Sequence, residues 1–270
     1  MVNTHQKHQP IGVFDSGIGG LTVANAIVKQ LPKEEIIYFG DTFHLPYGDK
    51  SADAIRYYSL KIVKFLLEKN CKMIVIACNS ASSAAYDVLL DFFKGQALFV
   101  NVVDPLVEAV TKKQFNHVGV IATKATILSG IYKSKLQKAQ PNLKVTSMAT
   151  PLLVPIIEEG YFNDNISEAV IEKYLSNKSF KGIEGLLLAC THYPLIRKNI
   201  EDFFSGNVSV FDSTDVVAEI VRKKLLENDL LNDRKKNSHH FFVSDYTKSF
   251  EETTRIFYKE KIHLELCSIW

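Results

Sequence analysis

The sequence is poor in the features that would assign it to several broad classes. No uncharged apolar run among its 270 residues approaches the ~20 residues needed to span a bilayer. Residues 1–10 are polar and lack the apolar centre of a signal peptide. Charge of one sign is also missing. Thirty-two Lys and Arg against 30 Asp and Glu leave a net charge of +2, and the basic residues are spread out, so nucleic-acid binding finds no support. The one compact basic run, Arg234-Lys235-Lys236, is flanked by Asp233 and Asn237 and reads as solvated loop. Cysteine is sparse: of Cys71, Cys78, Cys190 and Cys267, no two have the close spacing of a structural zinc site or a thiol-exchange pair. A cytoplasmic, reducing setting is expected, in which four cysteines are not a disulfide framework.

What is present is an ordinary globular composition, 46% hydrophobic, sufficient for two modest α/β units or one large domain. Its most informative stretch is Val75-Ile76-Ala77-Cys78-Asn79-Ser80, because Leu187-Leu188-Ala189-Cys190-Thr191-His192 has the same character 112 residues later. Residues 73–77 and 186–189 read as strands buried on both faces. Ser80 or a neighbour is expected to cap a helix over 81–93, and Pro194 to open one over 195–204. Each thiol is thus expected at a helix N-terminus, where the dipole favours thiolate. Two such thiols suggest an acid/base pair facing one substrate, whereas Cys71 and Cys267 lack the setting and read as packing residues.

The chain opens with a strand over 11–14, the turn Asp15-Ser16-Gly17-Ile18-Gly19-Gly20 and a helix over 21–31, the start of a doubly wound fold. The turn is no phosphate loop, since Ile18 stands where the lysine should be, and the dinucleotide glycine pattern fails in register. Asp15 at a strand end suits proton transfer or an ammonium group. A strand over 35–40 leads to Asp41-Thr42 and a loop over 43–48. Helix 52–69 then precedes the first cysteine strand. A strand over 98–103 is expected to stop at Asp104-Pro105, followed by helix 107–113 and strand 118–122, which ends in Thr123-Lys124-Ala125-Thr126. One helix is expected over 127–139, a strand over 143–148 and a helix over 166–175. After the second cysteine unit come strand 208–211, helix 216–226, a polar linker over 227–238, strand 240–243 and helix 246–258. Val13-Phe14-Asp15-Ser16 recurs as Val210-Phe211-Asp212-Ser213, and with the paired Ala-Cys units this suggests two related halves about a pseudo-dyad.

Inverting a carbon next to a carboxylate requires a base on one face and an acid on the other. Cys78 and Cys190 can supply both if their strand ends converge, with Asp15 and His192 as neighbours. Zinc ligation by Cys78, Cys190 and His192 lacks the usual spacing. A thiol hydrolase would leave one cysteine unexplained.

At these residues the chain closely resembles glutamate racemase, a family of cofactor-independent two-cysteine racemases. The resemblance runs from about Ile11 to Ser213. It rests on Val13-Phe14-Asp15-Ser16-Gly17-Ile18-Gly19-Gly20, Pro46-Tyr47-Gly48, Ala77-Cys78-Asn79-Ser80-Ala81, Thr123-Lys124-Ala125-Thr126 and Cys190-Thr191-His192-Tyr193-Pro194-Leu195. The family usually has Thr where Ser80 stands, so a hydroxyl is kept. The resemblance implies two similar doubly wound α/β domains with the site in the cleft between them, residues 1–100 with 213–270 forming the first and 101–212 the second. It implies interconversion of L- and D-glutamate for peptidoglycan, no cofactor, no metal and a homodimer. By the family pattern Cys78 takes the α-proton from D-glutamate and Cys190 from L-glutamate, assisted by Asp15 and His192 respectively. Glu158, matched through the Pro-x-x-Glu-x-Gly segment, would by the same resemblance have an electrostatic role near His192. Asp15, Ser16, Tyr47, Gly48, Asn79, Ser80, Thr123, Thr191 and His192 would surround the substrate. The alternatives are a related racemase acting on aspartate and a catalytically idle amino-acid-binding module.

Overall fold

Short runs of β-branched, aliphatic and aromatic residues, too brief for helices and bounded by turn residues, become strands buried on both sides. A computed structural model of the protein describes residues 6–162, 164–234 and 238–270. Lys235 and Lys236 of the basic run, and part of the polar linker, lie outside the described residues. The first sheet is formed by β1 (Ile11–Asp15), β2 (Ile36–Gly40), β3 (Met73–Ile76), β4 (Leu98–Asn101), β9 (His240–Val243) and β10 (Glu265–Leu266), in the order β10-β9-β2-β1-β3-β4. The second is formed by β5 (His117–Ala122), β6 (Lys144–Ala149), β7 (Gly185–Ala189) and β8 (Ser209–Asp212), in the order β6-β5-β7-β8. Every strand pairing is parallel.

The period-two alternation of the strands separates the core into layers. On β7, Leu187 and Ala189 join Leu106 and Val110 of α4 (Val103–Thr111) and Leu136 of α6 (Ile131–Ala139). Leu186, Leu188 and the following Cys190 face the other way. There they meet Ile157 of α7 (Leu153–Glu158), Ile171 of α8 (Asn165–Leu175) and Ile200 of α9 (Arg197–Phe203). In the first sheet Ile74, Ile76 and Cys78 share a cluster with Ile62 of α2 (Ala52–Glu68) and Leu89 of α3 (Asn79–Phe92). On its opposite side Val75 and Ala77 pack with Ala24 of α1 (Leu21–Gln30). Helices thus cover both faces of both sheets, the doubly wound arrangement expected from the sequence. None of the described helices is long and apolar enough to cross a membrane.

The orders β2-β1-β3-β4 and β6-β5-β7-β8 correspond strand for strand, so β3 with Cys78 matches β7 with Cys190. The four-residue recurrence at 13–16 and 210–213 does not follow this correspondence. It joins β1 to β8, whereas β8 corresponds to β4. Asp212 is committed to Arg197, whose guanidinium lies 2.8 Å away. The two halves are related, and that recurrence is not the reason.

Several local expectations are corrected. Strand 98–103 ends at Asn101, because Asn101 Oδ1 accepts the N–H groups of Val103 and Asp104 and starts α4 early. Pro105 then lies in the first turn of α4, where no N–H is required. The single helix over 127–139 is two, α5 (Lys124–Ser129) and α6, divided at Gly130, whose φ of 67° is the left-handed region glycine enters freely. Pro194 opens a 3-10 turn, Tyr193–Ile196, and α9 begins only at Arg197. Residues 153–158, given no element from sequence, are helical. The chain closes through α10 (Thr214–Glu227), β9, α11 (Lys248–Tyr258) and the unexpected β10. Helix α1 packs against both α10 and α11.

Candidate active site

Parallel sheets present ligand sites at the carboxyl ends of their strands. Here the two sheets aim those ends at one another. A cavity of about 300 Å³ is lined by the turns after β1, β2 and β3 on one side and after β5, β6 and β7 on the other. Cys78 and Cys190 both open onto it. So do Ser16, Tyr47, Gly48, Asn79, Ser80, Thr123, Thr191, His192 and Glu158, every sequence candidate except Asp15. Asp15 is fully buried immediately beneath, where its carboxylate accepts the Gly17 N–H at 2.9 Å and the Thr191 hydroxyl at 3.3 Å. That second bond runs from one sheet's turn to the other's.

The glycines of the first turn allow this approach. A methyl group on Gly19 would stand 2.3 Å from His192 Cε1, and one on Gly20 would stand 2.5 Å from Asp15 Cβ. Only bare backbone fits under those side chains.

The two thiols differ in setting. Cys78 is itself the N-cap of α3, its sulfur accepting the Ala81 N–H at 3.4 Å. Its thiol donates to Ser16 Oγ at 3.7 Å. Ser80, the expected cap, lies inside the helix and shares a 2.9 Å hydrogen bond with Thr123 of the opposite sheet. The expectation that the helix start favours a thiolate at Cys78 is reversed. Burial, followed by the charge of Asp15, pushes its thiol up to about 12, more than the N–H bonds at the helix start can offset. Asp15 therefore acts on Cys78 through its field, for its own hydrogen bonds go elsewhere.

Cys190 has no helix start behind it, because His192 precedes only the 3-10 turn. Its sulfur faces His192 Nδ1 at 3.7 Å, and His192 Nε2 meets Glu158 Oε1 at 2.9 Å. Burial lowers the basicity of the buried His192 ring, but the bonds and charges of Cys190 and Glu158 outweigh it and raise the ring to about 10. Both partners thus favour the protonated ring. Phe257 of α11 backs it edge-on, ring centroids 5.2 Å apart. Burial pushes the Asp15 carboxyl up, and the His192 charge opposes this.

Further residues complete the walls. Tyr132 donates its hydroxyl to Asn79 Oδ1, and Asn79 Nδ2 is a buried donor with no acceptor in the structure. A buried unpaired donor at a cavity wall is suited to an anionic ligand. The Tyr47 hydroxyl is taken by Asp41, a fully buried carboxylate that also accepts from Ser244 Oγ at 2.7 Å and holds His44 Nδ1 at 2.9 Å. Tyr47 thus lines the cavity with its ring while its hydroxyl fixes the loop. Sequence reasoning passed over Asp41, Asp49, Lys124 and Thr150. Asp49 adjoins Pro46-Tyr47-Gly48 and Lys124 lies within Thr123-Lys124-Ala125-Thr126, the only signals that could have found them. Among the described residues no group of three or more His, Cys, Asp or Glu side chains could hold a metal ion.

The chain is similar to known proteins in sequence and in overall structure. The Asp/Glu/hydantoin racemase family matches residues 11–221. A glutamate racemase of Chlorobaculum parvum is 40% identical over 250 residues, covering 92% of each chain. One from Geobacter metallireducens is 39% identical over 244 residues, covering 89% of each. The crystal structure of glutamate racemase from Francisella tularensis in complex with D-glutamate superposes with a TM-score of 0.92 at 38% identity, over 97% of this chain and 98% of that one.

Proposed function

We propose that this chain, which belongs to the Asp/Glu/hydantoin racemase family, is a cofactor-independent glutamate racemase that passes the α-proton between two thiols. The observation that carries the reading is the pair of corresponding strand ends, each with a cysteine, opening on one cavity from opposite sheets. The names of the relatives and the D-glutamate complex of the Francisella tularensis enzyme support glutamate over aspartate as substrate.

In the forward direction Cys190 removes the α-proton of L-glutamate while the adjacent His192 imidazolium stabilises its thiolate. Cys78, resting as a thiol, donates a proton to the other face and releases D-glutamate. The reverse reaction exchanges the roles, with Asp15 and Ser16 beside Cys78. Asn79, Ser80, Thr123 and Thr191 bind the carboxylates through amide, hydroxyl and main-chain N–H donors. Developing charge at Cα is met by aimed dipoles of the cavity wall. We place the first domain at 1–100 and 213–270 and the second at 101–212. We place the protein in the cytoplasm, as a homodimer that supplies D-glutamate to peptidoglycan.

Circular dichroism of D-glutamate solutions tests the reading. Wild-type protein should abolish the signal in time and, in deuterium oxide, introduce deuterium at Cα. Cys78→Ala and Cys190→Ala should each slow racemisation by about 10²–10⁴-fold, the usual worth of a positioned acid or base. Full two-way activity in either variant would refute the two-thiol assignment. A steady signal with wild-type protein would leave the idle binding module standing, and faster turnover of aspartate would favour the other racemase.

A further inference from the structure

The cavity rim carries an ion pair that the proton transfer above does not use. Lys124, the first residue of α5, places Nζ 3.1 Å from Asp49 Oδ1, both side chains about half exposed. The pair joins the loop after β2 in one sheet to the helix after β5 in the other, and both residues line the cavity. Beside it the two loops are in close contact, since a methyl group on Gly48 would lie 2.9 Å from Thr123 Cβ.

An exposed pair of this kind adds little to stability, so a purely structural latch explains it poorly. The charges around it suggest more. Lys124 is the one Lys or Arg among the lining residues, which otherwise bring the acids Asp49 and Glu158, with Asp15 beneath. The ring nitrogens of His192 are occupied by Cys190 and Glu158. A glutamate whose Cα lies between the thiols carries a second carboxylate on a two-carbon arm. Among the described residues of the lining no other cation is free to meet it.

We infer that Lys124 is a substrate-recognition residue, held by Asp49 at the rim and transferred to the side-chain carboxylate of incoming glutamate. The inference rests on the proposed racemase reading. It makes Asp49 a competitor of the substrate for the same ammonium group, so the two partners should have opposite effects when removed.

Steady-state racemisation of D-glutamate at about 0.01 M and about 1 M ionic strength, where the screening length falls from about 30 Å to about 3 Å, provides the test. At low salt Lys124→Met should raise KM about fivefold, the Coulombic worth of one solvent-exposed contact, with kcat moved less than twofold. Lys124→Arg should keep the KM of the wild type, and Asp49→Asn should lower it. High salt should shrink all these differences. Lys124→Met and Asp49→Asn both raising KM would show a latch and overturn the inference, as would an unchanged KM in Lys124→Met. Wild-type protein that does not racemise glutamate would overturn the functional reading itself, whereas an active wild type with an indifferent Lys124→Met would overturn only the role of Lys124.

Discussion

Glu158 shows how much one half-buried carboxylate can set in a buried neighbour. Its Oε1 lies 2.9 Å from His192 Nε2, and with Cys190 it holds the ring at about 10 against the effect of burial. A histidine whose pKa is raised on folding contributes stability that is fully present below its unfolded value, about 6.5, and is lost as pH rises through about 10. Between about pH 6.5 and 7.5 the unfolded ring releases its proton while unfolded thiols, with a free pKa of about 8.5, still hold theirs. Across that window the thermal unfolding midpoint of the wild type should fall. Glu158→Gln keeps an acceptor but removes the charge, so its midpoint should fall less, and an identical slope would show that Glu158 does not set the ring. The same variant should turn over more slowly, because a ring that holds its proton less firmly supports Cys190 less well. Both directions must suffer equally in kcat/KM because the two enantiomers have equal free energy in water. The difference appears in the primary deuterium isotope effect, which should rise more with α-deuterated L-glutamate, the enantiomer assigned to Cys190.

Among the elements, the turn between β1 and α1 is where sequence and site agree most closely. Gly19 and Gly20 were legible as a glycine-rich strand-to-helix turn, but sequence gave no sign of what lay over them. The reason appears only when β7 brings His192 and Thr191 across from the other sheet. Gly19→Ala should therefore act at a distance in sequence. Its methyl group meets the His192 ring at 2.3 Å, and overpacking of this kind costs about 1–3 kcal/mol. The variant should unfold at lower denaturant concentration and lose activity together, and full activity in Gly19→Ala would show that the ring can move aside freely. The two cysteines were visible for a related reason, because a buried strand ending in a polar pair is a local pattern. Asp41, Asp49 and Lys124 were not. The meaning of Asp49 and Lys124 depends on which loops meet across the cleft, and that of Asp41 on the return of β9, which sets Ser244 beside it. Cys78 does sit at a helix start, but its burial, which depends on the whole fold, reverses the effect expected of that position. The break of 127–139 at Gly130 and the early start of α4 at Asn101 had signals in the sequence, a glycine and an Asn, but each was weaker than the surrounding periodicity.

At the scale of the molecule, the chain leaves the first sheet after β4, builds the second, and returns through α10 to add β9 and β10 at the far edge. The return is secured at a buried ion pair. Lys72 Nζ lies 2.6 Å from Glu34 Oε2, both side chains almost wholly enclosed. The same ammonium donates to the carbonyls of Lys7 and Leu230, and Glu34 Oε1 accepts the Asn232 N–H. One pair thus ties the segment before β1, the entries to β2 and β3, and the stretch between α10 and β9. Burial lowers the Lys72 pKa and Glu34 opposes it, so the ammonium depends on its partner to remain charged inside the protein. Removing one member strands the other. Lys72→Met should cost about 3–5 kcal/mol, the usual penalty for leaving a buried charge unpaired, read as a lower urea midpoint with little change in slope. Glu34→Gln in the same background should cost less than it does alone, with a coupling of about 0.5–3 kcal/mol in the double-mutant cycle. Additive losses would mean that the two groups are held independently by the main chain around them, and that the returning segment is fixed by packing of α10 on α1 rather than by this pair.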